Sequence, residues 1–203
     1  GRLSREVIGT TDRRLAEDAS VYLLGRRLGT AGAEILAPPV TVEEIGKARL
    51  IFIFEEALPM TAPIFGVAVN QAVLNGAKLV LVGDGEYCHD RCASLKIKSG
   101  PAEAGRFLLA LLAVLAENHG SRFRNGAPGF EEFRQILREM KPPSRTEATG
   151  WKIDKVAALL EKRHPAAFIF GPRFVAGPWG GRNAAAVWNL AGLTGGHYVP
   201  LSW

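Results

Sequence analysis

Between Ala48 and Gly85 the chain reads ARLIFIFEEALPMTAPIFGVAVNQAVLNGAKLVLVGDG, and this stretch limits the fold more than any other. Two apolar β-type runs, Leu50–Phe54 and Lys78–Val82, enclose a segment with helical spacing. Uninterrupted apolar runs suit strands that are covered on both faces, where a half-solvated strand would alternate. Strand, helix and strand at this spacing make a βαβ unit. Such a unit brings parallel strands, a right-handed crossover and a ligand crevice at the strands' carboxyl ends. The residues leaving the two strands are Glu55-Glu56 and Gly83-Asp84, so the crevice is expected to be acidic.

The rest of the chain extends the pattern. Glu6-Val7-Ile8-Gly9 is a short strand candidate, followed by a helix with Leu15, Ala19, Tyr22, Leu23 and Leu28 as its stripe and Gly29 as its stop. Glu34-Ile35-Leu36 is a brief strand, and Thr41-Val42-Glu43-Glu44 is a capping box. Pro63 opens the crossover helix, with stripe Phe65, Val69, Ala72 and Val73, and Asn75-Gly76 closes it. Ser94–Lys98 alternates and reads as an edge strand. Pro101 starts a Leu-rich helix that stops near His119-Gly120. Ser121–Gly129 is loop, Phe130–Met140 helix, and 141–149 the most linker-like stretch. Asp154–Lys162 is a helix turning Val156, Leu159 and Leu160 inward, and Ala166–Phe170 is a third buried strand. The glycine-rich Gly177–Gly181 leads into a final helix at Asn183–Leu193, stopped by Gly195-Gly196. Alternation of this kind gives an α/β, three-layer sandwich with a mostly parallel sheet. A sheet with Leu50–Phe54, Lys78–Val82 and Ala166–Phe170 at its centre is expected.

Length and composition bound the possibilities. A chain of 203 residues with 47% hydrophobic and 22% charged residues can bury a sizeable core without staples. No apolar run approaches the ~20 residues of a membrane span, and Gly1-Arg2-Leu3 has no signal-peptide core. Two cysteines, Cys88 and Cys92, point to a reducing compartment. The net charge is +5, with Arg2, Arg5, Arg13, Arg14, Arg26 and Arg27 clustered early and Arg122 and Arg124 before a loop. No aromatic-basic interleave or nucleic-acid module accompanies it, so no nucleic-acid partner is expected. The initial Gly1, and Trp203 directly after the apolar Tyr198-Val199-Pro200-Leu201, read as the ends of an excised piece of a longer polypeptide. The whole of 1–203 is treated as one region, with a subdivision near 141–149 left open.

In order, these segments resemble the molybdopterin oxidoreductase family, to which formate dehydrogenase and dimethyl-sulfoxide reductase catalytic subunits belong. Members show Ala-Asp, a buried strand, a Gly-Ser-Asn-Pro-like turn, a helix-opening Pro, then Gly-Ala-Lys and a strand ending Asp-Pro-Arg. Here Ala48-Arg49, Leu50–Phe54, Pro63 and Gly76-Ala77-Lys78 follow that order. Ser99-Gly100-Pro101-Ala102, Ala166–Gly171, and Asn183-Ala184-Ala185-Ala186 through Leu193-Thr194-Gly195-Gly196 resemble later segments of the family. The likeness runs from about Val7 onward. It departs at the crevice, where Glu55-Glu56-Ala57 replaces Gly-Ser-Asn and Gly83-Asp84-Gly85 replaces Asp-Pro-Arg. Carboxylates there would repel a pyrophosphate.

With those departures the chain is most similar to the molybdopterin-type region of NADH-quinone oxidoreductase (complex I), which lies in one of that complex's iron–sulfur subunits. That resemblance implies a non-catalytic, structural role without molybdenum. Iron–sulfur clusters would lie elsewhere in the parent chain, since two cysteines cannot complete a cluster here. The implied partners are other subunits of a membrane-associated oxidoreductase complex, with no direct membrane insertion and a cytoplasmic, peripheral location. The alternative it leaves open is a fragment of an active molybdopterin-dependent enzyme such as a formate dehydrogenase. A stand-alone nucleotide-binding module is a third reading.

Glu55, Glu56, Gly83, Asp84 and Gly171 are the residues expected to gather at a vestigial crevice. No catalytic residue and no metal ligand is assigned. Cys88-His89-Asp90-Arg91-Cys92 lacks the second ligand pair of a zinc site. Adjacent Glu55 and Glu56 should point apart, which opposes an acid/base pair. Gly177–Gly181 lacks both phosphate-loop spacings and reads as pocket wall. His119, His164 and His197 lie near expected helix ends, and no G-x-S-x-G elbow is present.

Overall fold

A computed structural model describes residues 40–117, 130–139, 142–143, 151–176 and 180–201. The strands expected at 6–9 and 34–36, the helix at 15–28, the loop at 121–129, most of the 141–149 linker, residues 177–179 of the glycine-rich loop, His119 and Trp203 lie outside them.

The described chain runs α1 (Val42–Lys47), β1 (Leu50–Phe54), α2 (Leu58–Thr61), α3 (Pro63–Leu74), β2 (Lys78–Val82), a 3-10 turn at Cys88–Arg91, and β3 (Leu95–Ile97). It continues with α4 (Pro101–Glu117), α5 (Phe130–Glu139), α6 (Ile153–Lys162), β4 (Ala166–Phe170), α7 (Pro172–Val175), α8 (Gly180–Thr194) and β5 (His197–Pro200). The strands form one sheet in the order β3-β2-β1-β4-β5, every pair parallel. The chain leaves β1 toward β2 through α3 and later reaches β4, on β1's other side, by way of α4–α6. The topological switch point therefore falls between β1 and β4, where open parallel sheets place their ligand crevice.

Five-residue apolar runs make β1 and β4 interior strands because both of their faces are covered. In β1 every residue is buried, and the period of two divides its side chains cleanly. Leu50, Phe52 and Phe54 face the core shared with α4, α6 and α8. Ile51 and Ile53 face a second core under α1 and α3. The register sets Phe52 beside Phe168 and Phe54 beside Phe170. The Phe52 and Phe168 rings stack at 5.1 Å, and Phe54 meets Phe174 of α7 at 5.0 Å. Aromatic contacts of this kind add about 0.5–1.5 kcal/mol each beyond their buried area.

The expected central strands and the Ser94–Lys98 edge strand are all present, the latter as the three residues of β3. Thr41 caps α1 as a complete capping box with Glu44. Pro63 lies in the first turn of α3, and Asn75 is its C-cap. The apolar tail at Tyr198–Leu201 carries a strand that its pattern does not announce. β5 is four residues long and includes Pro200, which has no N–H to give a ladder and suits a sheet edge. Among the described residues β5 lies at that edge. No described helix is long and apolar enough to cross a membrane.

Interior and edge positions should respond differently to truncation. Phe168→Ala, in a side chain with no exposure, is expected to cost about 3–5 kcal/mol. Leu95→Ala, on half-buried β3, should cost only about 1–2 kcal/mol. Urea denaturation of the two variants measures the difference, and equal losses would contradict the strand order.

Candidate functional site

The backbone turns sharply where β1 ends. Glu55 continues the ladder, its amide donating to Val82 O at 2.8 Å, but then adopts φ 51. That left-handed conformation costs an L-residue about 1–2 kcal/mol and a glycine almost nothing. The chain thus keeps a step suited to glycine and fills it with a glutamate. The step sends the next two side chains in different directions.

Glu55 turns toward the loop after β2, and its side chain is wholly buried. Tyr87 donates its hydroxyl to Glu55 Oε2 at 3.1 Å. Arg173 of α7 brings Nε to 3.8 Å from the same oxygen and Nη2 to 3.6 Å from Asp84 Oδ1. Glu55 Oε1 is buried with no hydrogen-bond partner. Burial pushes the Glu55 carboxyl above its ordinary pKa, and the Tyr87 hydroxyl works against that shift. Asp84 adds to the rise and Arg173 opposes it. The Tyr87 phenol is itself pushed up to about 12, first by burial and then by the neighbouring Glu55.

Glu56 turns the other way. Its carboxylate lies on Gly171, at the end of β4, so closely that a Cβ there would overlap Oε2. Its Oε1 accepts from the Ala57 amide at 3.2 Å, at the N-cap of α2. Glu56 is 5% exposed. A carboxylate of the protein itself therefore fills the space between the β1 and β4 ends.

Gly83 has an equally specific role. A Cβ there would come 2.5 Å from the Tyr87 hydroxyl, so a larger residue would push that hydroxyl away from Glu55. The loop is pinned from beneath by Lys96, whose ammonium donates to Gly85 O at 2.8 Å and to Asp90 Oδ2 at 2.6 Å. Beside it lies a 610 Å³ groove lined by Glu86, Arg91 and Lys98 among others, with acidic and basic groups mixed.

Glu55, Glu56, Gly83, Asp84 and Gly171 thus all sit around the strands' carboxyl ends. The charge distribution differs from an open acidic mouth. Two of the three carboxylates are buried, and Arg173 lies between Glu55 and Asp84. Sequence reasoning missed Arg173 and Tyr87. A basic residue two positions past Gly171, beside a switch point, was a readable signal; Tyr87 offered none.

Among the described residues no group of three or more His, Cys, Asp or Glu side chains could hold a metal ion. Cys88 is exposed, and the Cys92 thiol donates to His89 O at 3.2 Å. His89 between them is buried, and burial holds its pKa below the ordinary value, opposed by the Gly66 backbone. Glu55 is sealed from solvent, and the groups that meet its carboxylate are the Tyr87 hydroxyl and the Arg173 guanidinium.

Comparison with known proteins agrees with this architecture. No protein-family profile matches the chain. Formate dehydrogenase H of Escherichia coli (strain K12) is 26% identical over 204 residues, a match covering 96% of this chain and 28% of that protein. Acetylene hydratase from Pelobacter acetylenicus superposes with a TM-score of 0.59 at 14% identity, over 87% of this chain and 25% of its own. The second likeness is one of fold. The chain spans about a quarter of the length of each.

Two titrations follow from the buried groups. Glu55 has a raised folded pKa, so the folded state holds its proton more tightly, and stability falls as pH rises from about 4.3 through that pKa. Urea denaturation between pH 4 and 8 should show the advantage of Glu55→Gln over the parent growing across that rise. His89 has a lowered folded pKa, so the unfolded chain takes up its proton first. The parent should lose stability as pH falls below about 6.5, and His89→Phe should remove that loss. Flat difference curves would contradict both assignments. In a third variant, Gly83→Ala, carbon-13 NMR of the tyrosine rings should show the Tyr87 phenol titrating below its parent value of about 12, toward the ordinary value of about 10.

Proposed function

We propose that the chain is a non-catalytic, structural portion of a molybdopterin oxidoreductase-like subunit, of the kind found in NADH-quinone oxidoreductase (complex I). The observation that carries this reading is the Glu56 carboxylate lying on Gly171 at the switch point. Open parallel sheets bind ligands at this place, and here a side chain of the protein occupies it.

The residues present do not fit the nucleotide portion of a pterin cofactor. A phosphate would need Glu56 to leave Gly171, and would then face the carboxylates of Glu55 and Asp84 with Arg173 as their nearby cation. Arg173 is already shared between those two groups. In this reading the domain is a scaffold. It supports iron–sulfur electron transfer carried elsewhere in the parent chain, docks neighbouring subunits, and is peripheral to the membrane through them.

One observation favours a second reading. The match to formate dehydrogenase H runs over nearly the whole chain, which supports a portion of an active molybdopterin-dependent oxidoreductase whose remaining parts complete the site. The two readings differ at the crevice.

Calorimetry with guanosine diphosphate separates them. The scaffold reading expects binding no tighter than millimolar, and only weak recovery in Glu55→Gly combined with Glu56→Ser, because the Asp-Pro-Arg segment is also missing. Micromolar binding to the unmodified chain would overturn it in favour of the second reading. The purified protein should also be colourless. Stoichiometric iron, zinc or molybdenum retained through chelator treatment, as measured by elemental analysis, would contradict the scaffold reading.

A further inference from the structure

Helix α3 is apolar on its outer face as well as on its inner one. Its sheet-facing positions are small, with Gly66, Ala68, Val69 and Ala72 buried. Phe65 and Val73 are half-buried against the same core, but Ile64 and Val67 are each 66% exposed and Leu74 is 83% exposed. Met60, one turn before the helix, is 80% exposed. No residue of Pro63–Leu74 is charged. A surface helix of a water-soluble domain puts charges on this face, and contiguous exposed apolar side chains mark a covered surface. Between α3 and α1, Ile64 and Val67 line a groove of 520 Å³, with Val42 and Gly46 on the α1 side and the Glu43–Lys47 ion pair at its rim.

We propose that this groove and the outer face of α3 are the docking site of a segment of the same chain, residues 12–28. Three observations select that occupant. The segment carries the helical stripe Leu15, Ala19, Tyr22 and Leu23, an apolar face with the helical spacing that can lie along Ile64 and Val67, at i and i+3 of α3. Its length fits: from 15 to 28 a helix extends about 20 Å, and from Ile64 to Leu74 about 15 Å. Its attachment also fits. The chain enters the described structure at Val40, which packs against the core beneath α1 and α3, and Val42 already lines the groove. The intervening 11 residues, 29–39, can span up to about 40 Å, enough to double back. A tethered segment meets the groove at an effective concentration that a free partner seldom reaches.

Cysteine cross-linking in the full chain tests this, with Cys88→Ser and Cys92→Ser removing competing thiols. Val67→Cys is combined in turn with Leu15→Cys, Ala19→Cys and Tyr22→Cys, and each protein is oxidised at several concentrations. At least one pair is expected to close an intramolecular disulfide in more than half of the chains, independent of concentration. Tyr22→Asp in the same background should raise the fluorescence of an added apolar dye severalfold by freeing the groove. A disulfide-linked dimer from Val67→Cys alone, with no internal cross-link, would mean that a second copy covers this face, and would overturn the proposal. Absence of any cross-link, together with unchanged dye binding in Tyr22→Asp, would equally overturn it.

Discussion

The structure depends on β1 being buried on both faces and flanked along both edges. With β2 on one side and β4 on the other in matching register, each backbone amide and carbonyl in its interior finds a ladder partner, and none has to be buried unpaired. That requirement admits only apolar side chains between Leu50 and Phe54, divides them into two cores, and forces helices onto both faces. The crossover direction then reverses at β1, and the reversal leaves one gap in the molecule's upper surface. The chemistry of this protein turns on what fills that gap.

Glutamates fill it, and the filling is an unusual balance of costs. Glu55 accepts a left-handed backbone, gives up most of its hydration and leaves one oxygen without a partner. Such sites are found where surrounding structure holds them in place. The surroundings here are specific. Tyr87 reaches Glu55 because Gly83 has no side chain, and Lys96 fixes the loop that carries Tyr87. Arg173 supplies charge, although at 3.6 and 3.8 Å and 61% exposed its ion pairs are loose and contribute little to stability. Glu55 and Glu56 therefore act on the fold mainly by occupying space at the strand ends.

Much of this could be read along the chain. Strand positions β1, β2 and β4 came from near-continuous apolar runs. The edge position of β3 came from its alternation, and the ends of α3 from Pro63 and Asn75-Gly76. The five crevice residues came from knowing that they follow buried parallel strands. β5 was harder, because a four-residue segment containing Pro200 looks like a poor strand unless its place at an edge is known. The exposed apolar face of α3 also stayed hidden, since a helix without charged residues reads the same whether its outer face is covered by sheet, by another segment or by nothing.

Sequence by itself determined the layers, the parallel sense of the sheet and the acidic residues at its carboxyl ends, because these follow from periodicity and from residue types within a few positions of one another. Tertiary structure alone decided which carboxylate meets which partner. Glu55 and Arg173 are far apart in the chain and come within reach only because β4 lies beside β1. Glu56 can rest on Gly171 for the same reason. Local patterns encode the repeat of an element, but not its neighbour. Strand order is set by the packing of the whole domain, and with it the charge balance of the crevice.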